Sequence, residues 1–128
     1  MKPGTQLEHQ DPRQVSRVSL KVFFNIAALW GLNREEEQVL LGEPARSTFY
    51  RWRKGEGPAL PRDTLERISY VMGIYKALRI LFPTEDQANA WPRKANSHFG
   101  GESALGVMLH GSLVNLADVR RYLDHARG

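Results

Sequence analysis

The side chains best equipped for intermolecular chemistry lie in one stretch, residues 40–55 (LLGEPARSTFYRWRKG), where Arg46, Arg51, Arg53 and Lys54 follow a Gly-Glu-Pro turn with no acidic residue among them. At 100° per residue, a helix over residues 45–54 places Ala45, Phe49 and Trp52 on one side and Ser47, Tyr50, Arg51 and Lys54 on the other. One face packs and the other is free to reach a partner. Guanidinium groups, hydroxyls and a phenol together suit guanine edges, phosphate oxygens and the thymine methyl of a DNA major groove. Arg46 and Arg51 are the first candidates for base or phosphate contact, with Ser47, Thr48, Tyr50 and Lys54 in support.

Catalytic constellations are not found. His9, His98, His110 and His125 have neither the mutual spacing nor the neighbouring carboxylates of a zinc site, and the chain has no cysteine, so neither a thiolate site nor a disulfide is available. Ser103 and Ser112 lack the context of an activated nucleophile. Gly100-Gly101 has none of the remaining residues of a phosphate-binding loop. The expectation is a protein that is not an enzyme, with no metal and no cofactor. A formal charge of +4 over 128 residues suits an anionic partner. No apolar run approaches the ~20 residues of a membrane span, and no secretion signal is visible, so a cytoplasmic location is expected.

The elements that must hold this basic helix are themselves helical. Residues 1–13 are polar and aperiodic and read as a flexible leader. From Gln14, the residues Val15, Val18, Val22, Ile26, Leu29 and Trp30 recur at helical spacing and stop near Gly31. Asn33 with Glu36 forms a capping box for a short helix over residues 34–41, ended by Gly42. After Gly55-Glu-Gly-Pro58, a long helix begins at Leu60-Pro61. Its residues Leu65, Ile68, Val71, Met72, Ile74, Tyr75, Leu78, Leu81 and Phe82 cover more of the circumference than one core requires. It is expected to pack on two sides.

Pro83 ends that helix, and Thr84 with Gln87 caps a short one reaching Trp91-Pro92. Residues 93–102 form a turn or an ordered loop. Ser103 caps a helix through Leu105, Val107, Met108 and Leu109 with Gly111 as its stop, and Asn115 with Asp118 is expected to cap the last, whose stripe is Leu116, Val119, Leu123 and Ala126 while Arg120, Arg121, Asp124 and His125 mostly face away. No stretch reads as a strand. The fold class is all-α: a helix-turn-helix lobe over residues 14–58, joined by the long helix to a small helical lobe within residues 59–128.

Leu32-Asn-Arg-Glu-Glu-Glu, Leu41-Gly42, Arg46-Ser-Thr-Phe-Tyr-Arg-Trp52 and Gly55 resemble an Xre-type helix-turn-helix. Leu65-Glu-Arg-Ile-Ser69, Gly73-Ile-Tyr-Lys-Ala-Leu78, Ala90-Trp91, Asn96, Phe99-Gly100, Ser103-Ala-Leu105, Met108-Leu, Gly111 and Asp118-Val-Arg-Arg-Tyr-Leu-Asp124 resemble the Xre/MbcA/ParS antitoxins. One departure is the Glu43-Pro44-Ala45 turn, about one residue longer than is usual for the Xre type. The resemblance implies a type II toxin-antitoxin pair. The partner would be a RES-domain toxin that consumes or transfers from NAD; the C-terminal lobe would cover its active-site cleft, and the helix-turn-helix would repress the operon. The toxin-facing residues implied are Asn96, His98, Phe99, Gly100 and Gly101 in the loop and Arg120, Arg121 and Arg127 in the last helix and tail. A homodimer on a palindromic operator is expected. Two alternatives remain open at this level: a plain helix-turn-helix regulator without a toxin partner, and a protein-binding inhibitor whose helix-turn-helix no longer binds DNA.

Overall fold

A computed structural model describes residues 11–128; most of the leader expected over residues 1–13 lies outside the described residues. Among the described residues there are seven α-helices and two short 3-10 turns, with no strand beyond a single antiparallel bridge between Ala95 and Ser103. The helices are α1 (Pro12–Leu29), α2 (Arg34–Leu40), α3 (Arg46–Arg53), α4 (Arg62–Leu81), α5 (Glu85–Ala90), α6 (Ala104–Met108) and α7 (Leu113–Ala126).

Helix α1 begins two residues before the expected Gln14. The Asp11 carboxylate accepts the Arg13 N–H at 3.0 Å and Pro12 occupies the first turn, where its missing N–H costs nothing. Its core face is Leu20, Phe23, Ile26, Ala27 and Trp30. The apolar stripe expected from Val15 onward is only partly this face: Val18 is 56% exposed and Leu29 47%. Two apolar stripes share one helix, and α4 and the helix-turn-helix together cover only one of them.

Helix α2 has the expected reciprocal box, with Asn33 Oδ1 accepting the Glu36 N–H at 2.8 Å and Glu36 Oε1 accepting the Asn33 N–H at 2.9 Å. It ends at Gly42, whose φ of 95° closes the turn by a Glu43 N–H to Gln38 carbonyl bond of 2.8 Å. Glu43 itself sits at φ 57°, so the lengthened turn is accommodated by a second left-handed residue.

The long helix α4 packs on two sides as expected, against α1 and against α7. Ile68, Val71, Ile74, Ala77 and Leu78 are essentially sealed, and one continuous apolar cluster runs from Leu20 through α4 to Leu123. Polar struts tie its ends. Ser16 Oγ donates to the Pro12 carbonyl and accepts the Leu60 N–H, both at 2.8 Å, holding the start of α4 to α1. The buried Arg67 reaches Asp63 at 2.8 Å and donates to the Gly111 carbonyl at 3.0 Å, joining α4 to the loop before α7. Between α4 and α7 the close approach occurs at Gly73, because any Cβ there would collide with the Arg120 guanidinium.

The last helix is a correction. Its N-cap is Ser112, whose hydroxyl accepts the Val114 N–H at 3.2 Å, and Asn115 is the reciprocal partner that accepts the Ser112 N–H at 3.0 Å. Helix α7 therefore starts at Leu113. Leu116, Val119 and Leu123 are buried as expected, whereas Ala126 is exposed in the last turn, where the helix has outrun its neighbours.

Candidate functional site

Helix α3 presents its basic face because its other face is anchored. Phe49 and Trp52 are buried, and the Phe49 ring meets Phe24 of α1 edge-on at 6.1 Å between centroids. Ala45, expected on that packed face, is instead the exposed N-cap residue just outside the helix and supplies no side-chain cap. Arg53 is held inward: it lies over the Phe24 ring at 5.1 Å and donates to Glu37 Oε1 at 2.8 Å, and the Glu37 side chain is only 5% exposed. A buried carboxylate needs a partner, and Arg53 is the nearer of two, with Arg34 at 3.5 Å from the same oxygen. Ser47, Tyr50, Arg51 and Lys54 point outward and are exposed, while Thr48 is half-buried beside Arg51 and Trp52. Arg46 lies 5.8 Å above the Tyr50 ring, a cation–π contact that holds both side chains on the outer surface. Among the described residues, Arg46, Arg51 and Lys54 take part in no ion pair.

A second surface forms around the loop over residues 93–103. Asn96 is its organiser: the side chain accepts the His98 N–H at 2.9 Å, the backbone carbonyl accepts the Phe99 and Gly101 N–H groups at 3.0 Å, and its own N–H donates to the Glu102 carbonyl at 3.2 Å. Gly100 and Gly101 turn the chain at φ 68° and 92°. The loop thereby displays His98 and Phe99 against Tyr122 of α7, with ring centroids 4.4 and 5.3 Å away, and Trp91 stacks on Tyr122 at 6.1 Å. His98, Phe99 and Tyr122 wall an open groove of about 590 Å³ completed by Val107, Asp118, Arg121, His125 and Ala126, with Trp91 stacked on Tyr122 outside its lining. Of the residues expected at this surface, His98, Phe99 and Arg121 line the groove, and Asn96, Gly100 and Gly101 frame it. Arg120 lies in the seam over Gly73, paired with Asp124 at 3.1 Å, and Arg127 is 3.8 Å from the same carboxylate.

Residues 9–73 match the antitoxin Xre-like helix-turn-helix domain, and residues 77–128 match the antitoxin Xre/MbcA/ParS C-terminal toxin-binding domain. The chain belongs to the Xre/MbcA/ParS antitoxins. It is also 50% identical over 109 residues, covering 85% of this chain and 84% of the relative, to the uncharacterized protein y4oB of Sinorhizobium fredii (strain NBRC 101917 / NGR234). The two matched stretches meet within α4. Each surface thus falls inside one of the antitoxin's two domains, the outer face of α3 in the first and the aromatic groove in the toxin-binding domain. Both matched families are antitoxin domains, not enzymes. No helix among the described residues is long and apolar enough to cross a membrane.

Sequence reasoning missed Tyr122 as a member of the groove and Trp91 as the ring stacked on it. Both stood in quoted motifs, but a contact between the start of one element and the middle of another, some thirty residues away, leaves no periodic signal. It also missed a strut between the domains. Arg93 donates to the Gly31 carbonyl at 2.8 Å and the Trp30 carbonyl at 3.2 Å, and pairs with Glu36 at 3.0 Å. Burial works to raise the Glu36 carboxyl, but the Asn33 N–H and the Arg93 guanidinium outweigh it and hold the group below its ordinary value of 4.5.

Proposed function

We propose that this antitoxin neutralises a RES-domain toxin that consumes or transfers from NAD, and that it represses its own operon by binding a palindromic operator as a homodimer. In this reading the helix-turn-helix of residues 14–58 serves the DNA, and residues 59–128 serve the toxin and, together with the outer face of α1, the dimer. The antitoxin acts stoichiometrically in the cytoplasm, without catalysis of its own. The observation that carries it is the pair of unlike surfaces, sharing no residue: an outer α3 face of Ser47, Tyr50, Arg51 and Lys54, and an aromatic groove inside the toxin-binding domain. The motifs of the second half favour a RES-domain partner over other toxin classes. A groove lined by rings and a few paired charges suits a protein surface, since aromatic side chains bury large areas at low entropic cost. The homodimer draws support from the apolar groove between α1 and α4, lined by Val22, Ile26, Leu29, Met72 and Tyr75. Two recognition helices in such a dimer would read half-sites about 34 Å apart or a multiple of that.

The test is co-expression of the tagged antitoxin with the product of the adjacent gene. Co-purification, rescue of growth by the full chain, and NAD depletion when residues 93–128 are removed are the expected results. A neighbour that is harmless, or that kills without touching NAD, would overturn the toxin assignment.

A further inference from the structure

The three cations of α1, Arg13, Arg17 and Lys21, are spaced four apart, so each is displaced by only about 40° around the helix and together they form one basic flank. All three are exposed, and among the described residues none takes part in an ion pair. Arg17 and Lys21 line a groove of about 380 Å³ whose opposite wall is Trp52, Arg53, Lys54 and Gly55 at the end of α3. Within it Arg53 is neutralised by Glu37, which leaves Arg17, Lys21 and Lys54 as the cations available to a ligand.

Helix stability does not account for this arrangement. The first turn of α1 holds Arg13 and no acidic residue, where the helix dipole favours anions and disfavours cations. Cations near the C-terminus of α3 gain from its dipole; those at the start of α1 do not. Nor do they cover the core, since the buried face of α1 is Leu20, Phe23, Ile26, Ala27 and Trp30. A row of cations outside the ion pairs of the described residues, held beside a helix whose outer face suits base edges, is what a polyanionic strand requires: one element reads the groove while another follows the phosphates at its edge.

We infer that Arg17 and Lys21, with Arg13 one turn further along, bind the phosphate backbone of the DNA beside the groove entered by α3, and set affinity and salt dependence without reading sequence. This rests on the proposal that α3 binds DNA. Neutralising phosphates releases condensed counterions, so each contact adds about 0.9 to the steepness with which binding weakens as log[salt] rises.

The experiment titrates the full chain and its Arg17→Gln/Lys21→Gln variant with two probes: duplex DNA from upstream of its own gene and a scrambled duplex of equal length, between 50 and 200 mM salt. The expected result is a slope shallower by about 1.8 in the variant, so that its affinity falls on the order of tenfold less over that range. The ratio of upstream to scrambled affinity should not change. Lys94→Gln, which alters an exposed cation outside the groove, should leave the slope as it is. An unchanged slope in the double variant, with wild-type binding intact, overturns this inference alone. A loss confined to the upstream duplex would make these residues base readers and overturn it too. If the wild-type chain binds neither duplex, the DNA-binding proposal fails and takes this inference with it.

Discussion

Helices α1 and α3 of the first domain and the whole of the second handle their arginines in opposite ways, while Arg34, Arg62 and Arg67 elsewhere in the first domain are paired. Every Lys and Arg of α1 and of α3 with its C-cap, except Arg53, lies outside the ion pairs of the described residues. In residues 77–128, by contrast, every arginine is paired: Arg79 with Glu85, Arg93 with Glu36, Arg121 with Asp118, and Arg120 and Arg127 with Asp124. A phosphate-binding surface gains from cations with no internal partner, because their charge is then available to the polyanion. A protein-binding surface gains from aromatic area with its charges already balanced, because unpaired charges are costly to desolvate at a protein interface. A net charge of +4 hides this division.

The largest expected effect lies at the groove. Tyr122→Ala removes the ring against which Trp91, His98 and Phe99 pack, and should weaken toxin binding by about 2 kcal/mol or more, roughly thirtyfold, in calorimetric titration. DNA affinity should be unchanged; an equal loss of both would mean the surfaces are not separate. Arg51→Ala comes next. If Arg51 holds a guanine bidentately, binding to the operator should fall by about 1–3 kcal/mol with relaxed preference at one base, read by competition among single-base operator variants. Uniform weakening across the variants would make it a phosphate contact.

Two smaller effects sharpen the boundary between the domains. Arg93→Ala removes two backbone hydrogen bonds and one ion pair that join residues 30–36 to the start of the groove loop, and should lower stability by about 1 kcal/mol in urea unfolding. DNA discrimination should survive it. The Glu36 carboxyl is held below 4.5, so its contribution is present above that pH and is lost as pH falls through the depressed folded value. At neutral pH, Glu36→Gln should be less stable by a few tenths of a kcal/mol, and the difference should vanish in acid. A difference that persisted at low pH would assign the loss to packing instead of charge.

How much was legible follows the range of each interaction. The capping box of Asn33 and Glu36, the stop at Gly42 and the two-sided long helix were readable because their signals lie within one element. The start of α7 was missed for a local reason: Ser112 and Asn115 both suit a cap, and the pattern was assigned to the second of them. The same holds for α1, where Asp11-Pro12 is itself a start signal that the polar leader obscured. The basic flank of Arg13, Arg17 and Lys21 carried a four-residue period that could have been found. The position of Arg120 could not, because nothing local to it announces that Gly73 leaves room for a guanidinium.

By itself, then, the amino-acid order determined the helices, their class and the family, through periodicity, capping and motif, all of which act over a few residues. Only tertiary packing decided which of two apolar stripes on α1 became core, which arginine of α3 turned inward to Glu37, and that His98, Phe99 and Tyr122 share one groove with Trp91 stacked on Tyr122. Those outcomes depend on what another helix brings alongside, and burial of a charge or a ring is settled only when the opposing surface is in place.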